Sequence, residues 1–258
     1  MNRATRSLRH VNVLGLATMV ALLGLWEVLV RSGVLRYQFL PAPSAIVTGG
    51  RALLSSGTLV PDLLHTLEVT LLGWLAASAL GITLGLVLGL SDAAWRWSMA
   101  SIEVMRAIPP VTLVPVALLV FGFSIRMELM IIVFVAAWPV LVNAIDGVRG
   151  VRPELVDLAR TLRWPTTTRV TKILLPSAMP SIVVGLRLAM SLSLVLAVVA
   201  EMIGNPAGLG NGLIRSQQAL QPGQTFAYVL TIGLLGIGLN AALGLAATRV
   251  SAASGGRR

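Results

Sequence analysis

The 258-residue chain contains no cysteine, which excludes disulfides and thiolate metal sites while leaving the compartment open. Lysine is nearly missing as well. Lys172 stands alone and outside any glycine-rich context, so there is no G-x-x-x-x-G-K-[ST] phosphate loop and no ATP hydrolysis by that route. The two histidines, His10 and His65, are far apart in sequence and suggest no metal site, and no serine has the neighbours of a nucleophile. No cofactor is expected to bind this chain. Charged residues make up 12% of the chain, against roughly 25% in an average soluble domain. A soluble protein this poor in polar groups could not cover its own surface, whereas lipid is a legitimate solvent for an apolar exterior.

Hydrophobic residues make up 56% of the chain, and the mean hydropathy is +0.86. Six apolar stretches, roughly 11–30, 66–90, 99–121, 127–145, 182–203 and 226–248, are each near the ~20 residues that a bilayer core requires. The reading is an all-α polytopic membrane protein with six transmembrane helices in a single domain, 1–258. Arg3, Arg6 and Arg9 precede the first run, as in a signal peptide. That run is longer than a typical signal core and no small-x-small site follows, which indicates an uncleaved first span.

The net charge of +10 would suggest nucleic acid in a soluble protein. Here the basic residues cluster between apolar runs, as in cytoplasmic membrane loops, and no nucleic-acid partner is expected. With the N-terminus inside, 13 of the 20 basic residues fall on the cytoplasmic side. Five (Arg31, Arg36, Arg51, Arg126 and Arg215) fall outside, and Arg106 and Arg187 lie within spans. Both termini are therefore expected in the cytoplasm.

Several local features stand out. Gly81, Gly85 and Gly89 recur every four residues and offer a face on which a neighbouring helix can approach closely. The third span carries Pro109, Pro110 and Pro115, and breaks of this kind are tolerated where protein or a cavity satisfies the freed backbone. Glu103 and Arg106, three apart, can meet as an interfacial ion pair or line a path. Arg187 can snorkel to the cytoplasmic interface, and Glu201 can pair with the outer loop 204–225 or face a path. Ile46, Leu53 and Leu54 suggest a short amphipathic helix in segment 31–65. The loop 204–225 has room for at most a short helix.

The most informative stretch is the loop 146–180, far longer than the 4–6 residues of a usual connector. Pro153 suits a first helical position, and Glu154 and Asp157 suit the positive end of a helix. Leu155, Leu158, Ala159 and Leu162 fall at i, i+3, i+4 and i+7 and form one apolar stripe. Pro165 ends that helix, and Thr166 can cap a second one. An amphipathic helix here can lie on lipid, pack on the protein's own spans, or dock into a partner; periodicity does not choose among these.

The same loop resembles the "EAA" loop of ABC importer permeases, E-A-A-x-x-x-G, nine residues, then I-x-L-P. The pattern lands on Asp157, Leu158, Ala159 and Arg163, and then on Ile173, Leu174, Leu175 and Pro176. Asp157, Leu158 and Arg163 depart from it, and Arg163 matters most, because glycine there permits a turn. Further stretches resemble the subgroup that imports alkanesulfonates, taurine, nitrate and bicarbonate. They include Leu40 to Ser44, Arg106 to Pro110, Pro115, Phe121-Gly122, Pro139, Asn143, Gly147-Val148, Gly185 to Arg187, Ala200-Glu201 and Gly208 to Gly210.

The resemblance implies a type I ABC importer permease fold in the bacterial cytoplasmic membrane. It implies a dimer of permeases, two ATPase subunits that carry ATP and Mg, and an extracytoplasmic substrate-binding protein. The loop 149–176 would hold the coupling helix at 153–163, with Leu155, Asp157, Leu158, Ala159, Leu162 and Arg163 against the ATPase. Ile173, Leu175 and Pro176 would close the loop. Arg106, Asn143 and Glu201 are the candidate path-lining residues. The implied substrate is a small anion such as a sulfonate, taurine, nitrate or bicarbonate, with a pyrimidine-type vitamin precursor or an aromatic acid as the alternative. A self-sufficient secondary transporter or channel is the competing class; it would call for acidic residues near mid-membrane, whereas Glu68, Glu103 and Glu201 lie toward span ends.

Overall fold

The computed structural model describes residues 13–35 and 37–255, so Arg3, Arg6, Arg9, His10, Arg36, Arg257 and Arg258 lie outside the described residues. Eleven α-helices follow one another among the described residues, with no strand. They are α1 (Val13–Arg31), α2 (Pro43–Ser55), α3 (Leu59–Leu90), α4 (Asp92–Arg106), α5 (Leu113–Phe121), α6 (Ile125–Arg149), α7 (Pro153–Thr161), α8 (Thr166–Arg169), α9 (Leu175–Gly204), α10 (Leu209–Gln218) and α11 (Pro222–Gly255). Five segments are long and apolar enough to cross a membrane: α1, α3, α6, α8 running into α9, and α11.

The third expected span, 99–121, is not one helix. It splits into α4 and a second piece, Pro110–Phe121, bent by 75° at the break. The cause is local. Neither Pro109 nor Pro110 has an N–H to donate, and a proline drives the residue before it out of the helical region. Pro109, itself followed by proline, accordingly sits at ψ 125. Pro115 causes no second break, because it falls in the first turn of α5, where N–H groups have no intrahelical acceptor.

The centre of the bundle is α6, packed between α3 and α9, with Ile131, Ile132, Val140, Ala189 and Ala197 in a fully buried core. The glycine stripe of α3 lets α6 come this close: a Cβ at Gly85 would stand 2.5 Å from Ala144 Cβ and 2.8 Å from the Leu141 carbonyl oxygen. Trp74 of α3 adds a hydrogen bond from Nε1 to the Leu186 carbonyl of α9, at 3.0 Å. We expect Gly85→Leu to force α3 and α6 apart and cost about 1–3 kcal/mol. The check is the thermal midpoint in detergent, with Gly24→Leu as control, since nothing lies within 4 Å of a Cβ at Gly24.

A second core forms where α2, α10 and the start of α11 meet, around Ile46, Leu53, Leu209 and Tyr228. Leu54, expected on the same face as Ile46 and Leu53, is exposed instead, because it follows Leu53 by one helical step of about 100°. Outside this core, α1 is largely exposed and is tied to α2 through Glu27. The Glu27 carboxylate accepts the Ser44 N–H at 3.0 Å and the Ser44 hydroxyl at 2.7 Å, and so caps the N-terminus of α2.

Candidate functional site

The loop after α6 builds a short helix on a stiff platform. Pro153 opens α7, as expected, with Glu154 in its first turn. The apolar stripe divides in two. Leu155, Leu158 and Leu162 are 38%, 52% and 52% exposed, whereas Ala159 is 1% exposed. Ala159 therefore belongs to the inner packing of the loop and not to a face open to a partner. It sits about 100° from Leu158 around the helix, at the edge of the stripe turned toward the body of the protein.

The end of α7 explains the glycine of the EAA pattern. Arg163 adopts φ +50, and the Trp164 N–H bonds back to the Ala159 carbonyl at 3.0 Å. This is a Schellman ending, in which the residue after the last helical turn takes the left-handed conformation that glycine enters freely. The departure at Arg163 thus leaves the backbone path intact, at a conformational cost of about 1–2 kcal/mol. We expect Arg163→Gly to raise the thermal midpoint and Arg163→Val to lower it. Equal midpoints for the two variants would contradict this backbone account.

Beyond Arg163, Thr166 begins α8 but caps nothing; Pro165 holds the N-cap position without a side-chain bond. A π turn over Val170–Leu174 then leads into α9, with the Leu175 N–H reaching back five residues to the Val170 carbonyl. Ile173 and Leu175 are half-buried across this turn, and Pro176, which has no N–H to give to the helical ladder, follows directly. Lys172 Nζ stands 5.7 Å from the centroid of the Trp164 ring, linking the two ends of the loop. On the other side, Arg149 at the end of α6 pairs with Asp92 at 2.8 Å and lies 4.1 Å over the Trp95 ring, which anchors α4 beside the loop.

The three path candidates are not brought together. Arg106 ends α4, exposed, with Nη1 3.3 Å from Glu103 Oε1, so the expected ion pair forms. Asn143 is half-buried in α6 and donates from Nδ2 to the Pro139 carbonyl at 2.8 Å, next to the close approach of Gly185. Glu201 makes the contact with the outer loop that was one of its two expected roles. Its Oε2 accepts the Gly210 N–H at 2.8 Å and the Thr66 hydroxyl at 3.0 Å, so the carboxylate caps α10. Thr66 Oγ1 in turn accepts the Leu209 N–H at 2.9 Å. The Gly208-Leu209-Gly210 run has its reason here: Gly208 adopts φ +93, and a Cβ on it would collide with the Glu201 carboxylate.

Sequence reasoning missed the groups around Glu201. Glu128 at the start of α6 and Glu201 are both 0% exposed, and His65 Nε2 of α3 lies 3.2 Å from Glu128 Oε2. Asn205 donates from Nδ2 to Glu128 Oε1 at 2.8 Å and accepts the Ala207 N–H on Oδ1 at 3.1 Å. A second buried network ties α10 and α11 to α3: Asp62 Oδ2 accepts from the Tyr228 hydroxyl at 2.8 Å and from Arg215 Nη2 at 3.0 Å. Residues 65, 128 and 201 are 63 and 73 positions apart, and only the packing of three helices joins them.

An all-α bundle with five helices long and apolar enough to cross a membrane, and a sixth that is broken, has the architecture of a polytopic membrane protein. Residues 79–253 match the family described as "Binding-protein-dependent transport system inner membrane component", and the chain belongs to that family, as the permease component of an ABC importer of the inner membrane. It is 30% identical over 222 residues to a Bacillus subtilis (strain 168) protein named for aliphatic sulfonates transport, a match covering 86% of this chain and 80% of that one. It is 28% identical over 235 residues to the nitrate import permease protein NrtB of Synechococcus elongatus, covering 84% and 82%. Its fold is similar to that of a chain from the MetNI methionine ABC transporter. The TM-score is 0.65 at 18% identity, with 78% of this chain and 98% of that one covered. The expected type I importer permease fold is thereby established.

Proposed function

We propose that this permease works as a dimer and forms the translocation path between two copies of the chain. In this reading α7 is the coupling helix. An ATPase subunit receives Leu155, Leu158 and Leu162 in an apolar groove, with Asp157 and Arg163 at the edge of the contact and Ala159 fixing the helix from behind. ATP and Mg reside on the ATPase, and closure of the ATPase pair moves α7 and, through the π turn and Pro176, the base of α9. Both termini and the α7 loop face the cytoplasm, and a substrate-binding protein delivers cargo at the opposite face. The chain is one permease domain, 1–258, and carries out no chemistry of its own.

The observation that supports the docking role most strongly is the stripe of three leucines held off the bundle. A helix that packed on its own spans would bury them, and α7 instead buries, among its described side chains, only the alanine. The substrate we propose is a small anion of the sulfonate or nitrate kind, supported by the relatives named for aliphatic sulfonates and for nitrate. The test is uptake by proteoliposomes containing the permease, its ATPase and its binding protein. Nitrate or an alkanesulfonate should accumulate with ATP, and a neutral pyrimidine compound should not. Uptake of the pyrimidine compound alone would overturn the substrate assignment and leave the permease role standing.

A further inference from the structure

We propose that His65, Glu128 and Glu201 bind one divalent transition-metal ion, of the zinc or manganese kind, that clamps α3, α6 and α9 at the same end of the bundle as α10. One ligand atom from each of the three side chains lies within 4.8 Å of the others. His65 Nε2 and Glu128 Oε2, at 3.2 Å, already match the roughly 3.3 Å that separates neighbouring donors around a tetrahedral ion with bonds near 2.0–2.1 Å. One imidazole nitrogen with two carboxylate oxygens is a donor set that suits zinc or manganese better than magnesium or calcium.

Two further observations point to a cation. Glu201 is fully buried, and its Oε1 has no hydrogen-bond partner, although the other oxygen is doubly bonded. The charges also fail to balance. When ionised, Glu128 and Glu201 bring two negative charges to a buried site, and the hydrogen bonds they accept come from His65, Asn205, Thr66 and Gly210, with neither lysine nor arginine among the donors. The nearby Arg215 is engaged with Asp62. A buried carboxylate without a compensating charge is strongly disfavoured. A protonated His65 offsets one of the two charges; a divalent ion with neutral His65 as ligand offsets both.

The outer partners are those of a supported metal site. Asn205 Nδ2 orients Glu128, its own orientation set by the Ala207 N–H, and Thr66 and Gly210 orient Glu201. A cavity of ≈ 340 Å³, lined by Phe123, Asn205, Asn211 and, of the three ligands, Glu201 alone, lies beside the cluster.

The test uses the full permease assembled with its ATPase. Protein expressed with zinc and manganese supplied should carry about one such ion per permease copy by elemental analysis, as one ligand set predicts. Chelation should lower the thermal midpoint, and zinc or manganese chloride alone should restore it. His65→Gln should lower the bound ion at least about tenfold, the scale of losing one ligand or its support. Wild-type protein without stoichiometric metal and without a midpoint response to either ion would overturn the proposal and assign the missing positive charge to protons on the carboxylates. Retention of the ion by His65→Gln would overturn the ligand set. Should that variant fail to fold, chelation and reloading of the wild type still decide the matter.

Discussion

Leu158→Asp is expected to abolish binding-protein-stimulated ATP hydrolysis by the assembled transporter, while the variant permease should reach the membrane at wild-type level. The side chain is 52% exposed in the permease alone, so an aspartate there is solvated and leaves the fold undisturbed. Against an ATPase groove the same carboxylate must be desolvated without a partner. Loss of one central apolar anchor costs about 2 kcal/mol or more, which is roughly thirtyfold in affinity. Leu158→Met should keep both docking and hydrolysis, since it preserves volume and apolarity. The measurement is co-purification with the ATPase together with hydrolysis stimulated by the binding protein. Normal stimulation in Leu158→Asp would show that α7 does not couple the two subunits.

Gly208→Val should be the most damaging substitution at the end of the bundle that carries α10. Two costs coincide there. At φ +93 a β-branched residue is strained by about 1–3 kcal/mol. Its Cβ would also meet the Glu201 carboxylate, which is held in place by Gly210 and Thr66 and cannot swing aside without leaving the Gly210 N–H unpaired, whereas the Thr66 hydroxyl keeps the Asp62 carbonyl as acceptor. Each buried donor left unpaired costs about 1–3 kcal/mol. We expect α10 to lift from α9 and the thermal midpoint to fall steeply. Gly57→Val separates the two costs, because Gly57 also has positive φ, +72, but nothing within 4 Å of a Cβ. It should lose only the conformational part. Equal losses in the two variants would show that the Glu201 contact contributes nothing.

Much of this architecture is legible in the sequence, because membrane spans declare themselves by length and apolarity. The glycine stripe of α3 and the Pro153 start of α7 follow from equally local rules. The third span shows the limit. Its prolines mark where the backbone must break, but not the 75° at which the two pieces meet. Ala159 shows another limit. Helical periodicity groups it with Leu155, Leu158 and Leu162, yet only the loop's own packing decides which edge of the stripe turns inward. Arg163 is the reverse case: it departs from a glycine pattern yet adopts the left-handed backbone that glycine enters freely, visible only once φ is known.

The outer polar core was the least legible part. His65 and Glu128 carry no local signal, since a lone histidine and a lone glutamate near span ends resemble interfacial residues. Their meaning comes from three helices crossing at one level. Glu201 was partly readable, because a charge near a span end next to a glycine-rich loop has donors within reach.

The absence of cysteine allows one direct test of the coupling account. Leu158→Cys and Ala159→Cys are each labelled with a maleimide in inside-out vesicles, with and without the ATPase subunit. The account predicts that Leu158→Cys reacts readily in the permease alone, is protected when the ATPase is bound, and cross-links to it, while Ala159→Cys reacts in neither state. Equal labelling of Leu158→Cys with and without a bound ATPase would contradict it.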